Sequence, residues 1–223
     1  VQIWNDHSED ITFTGLVFDL KRPTVSEFRV PEAGPTNALI QIAEGSDYAI
    51  KDGKFLWQSD GEPGGFCQTL SLKDGRCRRT KAPRGRNAQG QKDATAQIWE
   101  ALIRLDYPEG ASGLQPGQQY QFRSTTRDRV GVHSARCKDI VFRDCDFYAL
   151  TGMGFASQFT ENMIFQRVNV APPSDSIRTC AAWGDVFQFS NCKGDILVDS
   201  CRLSGMQDDA INCHGTHLRI IGK

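Results

Sequence analysis

Residues 139–147 read DIVFRDCDF. Ile140 and Phe142 are apolar while Val141 and Arg143 fall on the opposite parity, and after Asp144 the apolar set resumes at Cys145 and Phe147. This is the pattern of two short alternating strands joined by a bend. Three other stretches superpose on it: DITFTGLVF from Asp10, NMIFQRVNV from Asn162 and DILVDSCRL from Asp195; a fifth, HLRII from His217, begins the same way. The spacing is 23 residues from Ile140 to Met163, 33 from Met163 to Ile196 and 22 from Ile196 to Leu218. A period in the low twenties with β-type alternation marks a solenoid. The Leu and Asn framework of a leucine-rich repeat is missing, and so is a helical 3.6-residue period. What remains is an all-β, right-handed parallel β-helix whose coils stack at about 4.8 Å.

The first repeat stands apart, with 129 residues between Ile11 and Ile140. Turn signals (KDGK, DGEPGG, LKDGR, QPGQQY) separate alternating runs such as SEFRV, NALIQIA, IRLDY and YQFR in that interval. The expected organisation is a first coil at 1–21, an inserted antiparallel, barrel-like β domain at 22–128, and catalytic coils at 129–223. Within the insert, Lys73–Lys92 carries eight Lys or Arg against one acid, Asp74. Such a run is expected to be a solvated loop that small substrates do not need; its functional alternative is contact with an acidic glycan. Without interleaved aromatic residues it is a poor nucleic-acid surface.

Composition bounds the rest. The chain has 223 residues, 39% hydrophobic and 24% charged, with a formal net charge of −1. No apolar run approaches the roughly 18 residues of a membrane span, and the net charge points to no particular partner. Eight cysteines include no CxxC pair, which argues against a zinc ribbon. Cys67 and Cys77 flank a short loop that a disulfide would close. The other six are read as packed thiols, because Cys145 and Cys201 fall in one inward column two coils apart, about 10 Å, too far to bridge.

Candidate chemistry lies in the strand preceding each repeat. DVFQF (185–189) and DAINC (209–213) share one pattern, so Asp185 and Asp209 are equivalent positions one coil apart, with Asp208 beside them. Stacking brings the three carboxylates to one patch at about 5 Å. Like-charge repulsion favours protonation of one of them, and an acid beside ionised bases is what glycosidic hydrolysis uses. Asp is also a common turn residue, which accounts for one aspartate but not three in register. Clustered carboxylates also suit calcium. Gln188, Asn212 and His214 are expected on the same outward face as sugar-binding groups. Trp183 either stacks on a sugar ring or belongs to the core, and Arg178 binds a hydroxyl or an anion or pairs with an acid. The small residues of the preceding coil, GMGFASQF, are expected to leave a cleft.

Residues 178–220, RTCAAWGDVFQFSNCKGDILVDSCRLSGMQDDAINCHGTHLRI, resemble glycoside hydrolase family 110, as do RPTVSEFRV, SDYAIKDGKFLW and YQFRSTTRDRVG. The resemblance implies a secreted or periplasmic bacterial enzyme. It would be an inverting exo-acting α-1,3-galactosidase with no cofactor or metal, acting on glycans ending in α-galactose and engaging no nucleic acid or membrane; a homo-oligomer is compatible with it. A wider similarity to polygalacturonases implies Asp208 as general acid and Asp185 with Asp209 as the base pair. WGD stands here in place of the NTD of that group, and RIIGK is a poor match to its RIK, which counts against pectin. Family 110 proteins are much longer, so further coils are expected beyond Lys223. The alternatives are another β-helix hydrolase, acting on pectin or sulfated galactan, and a β-helix that binds glycan without cleaving it.

Overall fold

The structure, a computed structural model, describes residues 1–57, 67–73, 76–79, 94–107, 113–123, 129–215 and 221. The chain opens with β1 (Ile3–Asp6), β2 (Glu9–Thr14) and β3 (Val17–Phe18), one strand for each of three sheets. Among the described residues, nine strands of antiparallel character follow: β4 (Val25–Ala33), β5 (Asn37–Ile42), β6 (Tyr48–Lys51), β7 (Lys54–Trp57), β8 (Cys67–Lys73), β9 (Arg76–Arg79), β10 (Thr95–Trp99), β11 (Leu102–Asp106) and β12 (Gln118–Arg123). The three-sheet pattern then resumes. Its coils are β13 (Val130–Ala135), β14 (Lys138–Arg143) and β15 (Asp146–Phe147), then β16 (Met153–Gln158), β17 (Glu161–Gln166) and β18 (Asn169–Val170). A further coil of β19 (Phe187–Ser190), β20 (Lys193–Asp199) and β21 (Arg202–Leu203) leads to β22 (Ile211–His214). No helix among the described residues is long and apolar enough to cross a membrane.

Two compact units result. One comprises Val1–Leu20, Arg127–Pro172 and Cys180–Lys223; the other comprises Lys21–Thr126 and Pro173–Thr179. In the first, every strand pairing is parallel: β1-β13-β16-β19-β22, β2-β14-β17-β20 and β3-β15-β18-β21. This is a parallel β-helix. Its register reproduces the sequence repeat, with Ile11, Ile140, Met163 and Ile196 in one column and Phe13, Phe142, Phe165 and Val198 in the next. Leu218, expected to continue the first column, lies outside the described residues.

The columns make the core. Phe13 stacks on Phe142 at 4.6 Å and Phe142 on Phe165 at 5.6 Å, while Phe155 meets both Phe142 and Phe165 edge-on. Cys145 and Val168 are fully buried among them. Leu16 and Cys201, in the same column, are more open. Cys137, Cys145, Cys180, Cys192, Cys201 and Cys213 are all free thiols. Burial pushes the thiols of Cys192 and Cys201 up, so they stay protonated and pack as small apolar groups.

Corners are made by residues in the left-handed region, stacked like the strands. His7, Arg136, Phe159 and Asn191 occupy one corner, with φ between 49° and 54°. Gly15, Asp144, Arg167 and Ser200 occupy the next, with φ between 53° and 67°. Inside β2, β14 and β17, away from the corners, Asp10, Asp139 and Asn162 form another left-handed row (φ 55–56°), continued by Gly194 in a one-residue bulge of β20. A Cβ at Gly194 would lie 2.2 Å from Asn162 Oδ1, so that site requires glycine. This explains why Asp and Asn recur at fixed offsets in the repeats: they tolerate αL better than most residues.

The second unit is a seven-stranded antiparallel sheet, order β10-β11-β5-β4-β12-β8-β9, with the hairpin β6–β7 turning at Asp52 (φ 52°) and Gly53 (φ 70°). Phe28, Phe55, Trp57, Tyr120 and Phe122 build its separate aromatic core. Glu27 is fully buried there. It accepts the Thr179 N–H at 3.0 Å, the Thr179 hydroxyl and the Gln119 amide at 3.2 Å, and so ties Pro173–Thr179 to this sheet. The Cys67–Cys77 disulfide fails on register. Leu72, not Cys67, lies opposite Cys77 in the β8–β9 hairpin, which leaves Cys67 five positions, roughly 16 Å, further along. Most of Lys73–Lys92 lies outside the described residues.

Candidate active site

Register places the acids. Phe187 pairs with Ile211 and Gln188 with Asn212 on neighbouring coils, so Asp185 and Asp209 lead into adjacent strands at the same point. The Val186 N–H donates to Asp209 O at 2.9 Å, locking the starts of the two strands together. Side-chain oxygens of Asp185, Asp208 and Asp209 all lie within 4.8 Å of one another. Asp185 is buried, 3% exposed, while Asp208 and Asp209 are exposed.

Asp185 is held from two sides. Its Oδ1 accepts the Asp209 backbone N–H at 3.2 Å, and its Oδ2 accepts Asn212 Nδ2 at 3.1 Å. A buried carboxyl group with both oxygens engaged is fixed in orientation, and its removal from water is matched by hydrogen bonds. Gln188 Nε2 lies 3.2 Å from His214 Nε2, and His214 Nδ1 lies 2.9 Å from Gly215 O. Asn212 thus borders the carboxylates, with Gln188 and His214 beside it on the same sheet. Among the described residues this trio of acids is also the group with the spacing of metal ligands.

Of the two places the sequence leaves open to Trp183, it takes the core, and Arg178 is buried too. Trp183 is 6% exposed, so its ring is packed inside and presents no face to a sugar. Arg178 is likewise buried, and it belongs to the antiparallel unit, not to the β-helix. The expected cleft beneath Asp185 is closed. A Cβ on Gly154 would meet Val186 O at 2.5 Å and Asp185 O at 2.8 Å, and one on Gly152 would meet Arg129 O at 1.9 Å. The small residues of GMGF serve close backbone approach: Gly154 N–H donates to Asp185 O at 2.9 Å. Ile211 and Cys213 share the register of Phe187 and Phe189 but are exposed on β22, the end strand of its sheet. His217, which would complete an HxxH with His214, lies outside the described residues.

Fold and site define a parallel β-helix whose wall carries three carboxylates gathered from two successive coils. No family model matches the chain. It is 37% identical over 221 residues to α-1,3-galactosidase A of Akkermansia muciniphila, covering 98% of this chain and 36% of that protein. It is 32% identical over 219 residues to α-1,3-galactosidase A of Bacteroides thetaiotaomicron (97% and 37%), and 25% identical over 217 residues to α-1,3-galactosidase B of Akkermansia muciniphila (96% and 27%). The chain is thus similar over nearly its whole length to α-1,3-galactosidases, and spans a little over a third of the length of the A-type relatives.

Proposed function

We propose that this chain carries the catalytic carboxylates of an inverting glycoside hydrolase that releases terminal α-1,3-linked galactose. The observation that carries the reading is the meeting of Asp185, Asp208 and Asp209 within 4.8 Å, in a relative of α-1,3-galactosidases. Asp208, exposed and on the turn, is the general acid: it gives its proton to the glycosidic oxygen as the C1–O bond breaks. Asp185, fixed by Asn212, and Asp209 hold a water between them. That water adds to C1 from the opposite face and passes its proton to the pair. Gln188 and His214 bind sugar hydroxyls.

Three acids, two for the water and one for the leaving oxygen, favour inversion. The spacing favours a second reading. Inverting pairs are usually roughly 6.5–9.5 Å apart and retaining pairs about 5–5.5 Å, so a retaining route with an aspartate as nucleophile fits the distance. NMR of the first-formed galactose separates the two: β-galactose from an α-galactoside means inversion, and α-galactose means retention.

The test of the function is a panel of α-1,3-, α-1,4- and α-1,6-galactosyl disaccharides, polygalacturonate and sulfated galactan. Galactose release confined to the α-1,3 substrate is expected, and cleavage of either polymer alone would replace the reading. Asp208→Asn is expected to lose at least about a hundredfold on the disaccharide and less on an aryl galactoside with a good leaving group. Asp185→Asn and Asp209→Asn should lose activity on both alike.

A further inference from the structure

The outward face of the β1-β13-β16-β19-β22 sheet holds one continuous row. In register it reads Trp4, His133, Ala156, Gln188, Asn212. Its last member, Asn212, is bonded to Asp185, and Gln188 is the register neighbour of Asn212 and touches His214. Its first two are aromatic: Trp4 and His133 lie with ring centroids 4.2 Å apart and planes at 31°. Trp4 is 62% exposed, an unusual place for an indole that has an apolar core one residue away. Burial holds His133 below the usual imidazole range, which favours the neutral ring beside the indole. Beside the pair, on the same strand as Trp4, Asp6 accepts Arg136 Nη2 at 2.7 Å, which sets a carboxylate acceptor and a guanidinium donor side by side. Ala156, between the aromatic end and the amide end, is the smallest side chain in the row and is itself covered, 8% exposed.

We infer that this row is an extended glycan-binding strip, with Trp4 on His133 stacking against a sugar ring of the chain whose end is held at the aspartates. The inference rests on the proposed function and deepens it by assigning the aglycone side of the substrate. Coils rise by about 4.8 Å, so Trp4 stands roughly 14 Å from Gln188, the reach of a few sugar residues and beyond that of a disaccharide. The chemistry selects the ligand. A sugar presents an apolar C–H face, which an indole covers, and a rim of hydroxyls, which Asp6, Arg136, Gln188 and Asn212 can pair. A protein partner of ordinary stability would need an interface of about 800 Å² per side, and this row has one indole among polar groups. A nucleic acid would need net positive charge, whereas Arg136 is matched by Asp6 and the row ends on three acids.

The test uses the full chain and two substrates of one terminal linkage: an α-1,3-galactosyl disaccharide and a linear tetrasaccharide or pentasaccharide ending in it. Trp4→Ala is expected to lower the ratio of kcat/KM on the long substrate to that on the short one about tenfold, through KM, with Trp4→Phe restoring most of it. A structural effect would move both substrates together, and an unchanged ratio overturns the strip. Binding is measured separately by calorimetry on Asp208→Asn protein: affinity for the long oligosaccharide should fall with Trp4→Ala, and equal affinity overturns the inference. If the parent protein hydrolyses no α-galactoside, the proposed function fails, while calorimetry still decides whether Trp4 binds glycan.

Discussion

The site depends on residues with no chemistry of their own. Gly154 has to be glycine because the carbonyls of Asp185 and Val186 occupy the space a Cβ would take. Gly154→Ala is therefore expected to cost about 1–3 kcal/mol, the range for overpacking, and to displace Asp185 as well. Thermal stability and kcat should fall together, and a folded variant with full activity would refute the packing argument. The three carboxylates also raise the question of a cation. Exhaustive chelation is expected to leave hydrolysis unchanged, whereas loss that added calcium restores would assign the cluster to metal. Much of this is legible in the sequence: two coils with the pattern Asp, any, apolar, any, apolar define which acids meet. The role of Gly154 is not, because smallness in a sequence reads equally as empty space or as backbone contact. Trp183 admits two readings for a similar reason, since core and sugar-stacking indoles have the same residue code and differ only in exposure.

At the scale of elements, the repeat is readable because a parallel stack puts equivalent residues at fixed offsets, and the columns through Phe142 and Phe147 follow directly from DIVFRDCDF. What the repeat conceals is the segment after β18. The 33-residue spacing includes Pro173–Thr179, which belongs to the antiparallel unit through Glu27, a contact across 152 residues that no local pattern announces. Glu27→Gln removes one acceptor from a buried site that serves Thr179, Gln119 and Gln121. A loss of about 1–3 kcal/mol is expected, with faster proteolysis inside 173–179. Unchanged cleavage there would show that the segment is held by something else. The Cys67–Cys77 pairing fails because nearness in sequence is not nearness in space: an antiparallel hairpin brings together only residues equidistant from its turn.

At the scale of the molecule, a solenoid is stabilised by neighbours, so its coils should not be equally protected. Hydrogen exchange is expected to be slowest in β13, β14, β16 and β17, each of which has a strand on both sides, and faster in the two-stranded β6–β7 sheet. Exchange in β6 as slow as in β16 would contradict this ordering. The corners differ in another respect. Two of them are closed by single left-handed residues and hardly vary in length. The third, where the chain passes from the β3-β15-β18-β21 sheet back to the sheet carrying Gln188 and Asn212, takes all the variation: residues 21–126 leave there, and so do 173–179. Asp185, Asp208 and Asp209 sit at that same passage. Selection can therefore lengthen, shorten or replace the segments that lead into the acids without disturbing a single core column, on a scaffold whose folding is already assured.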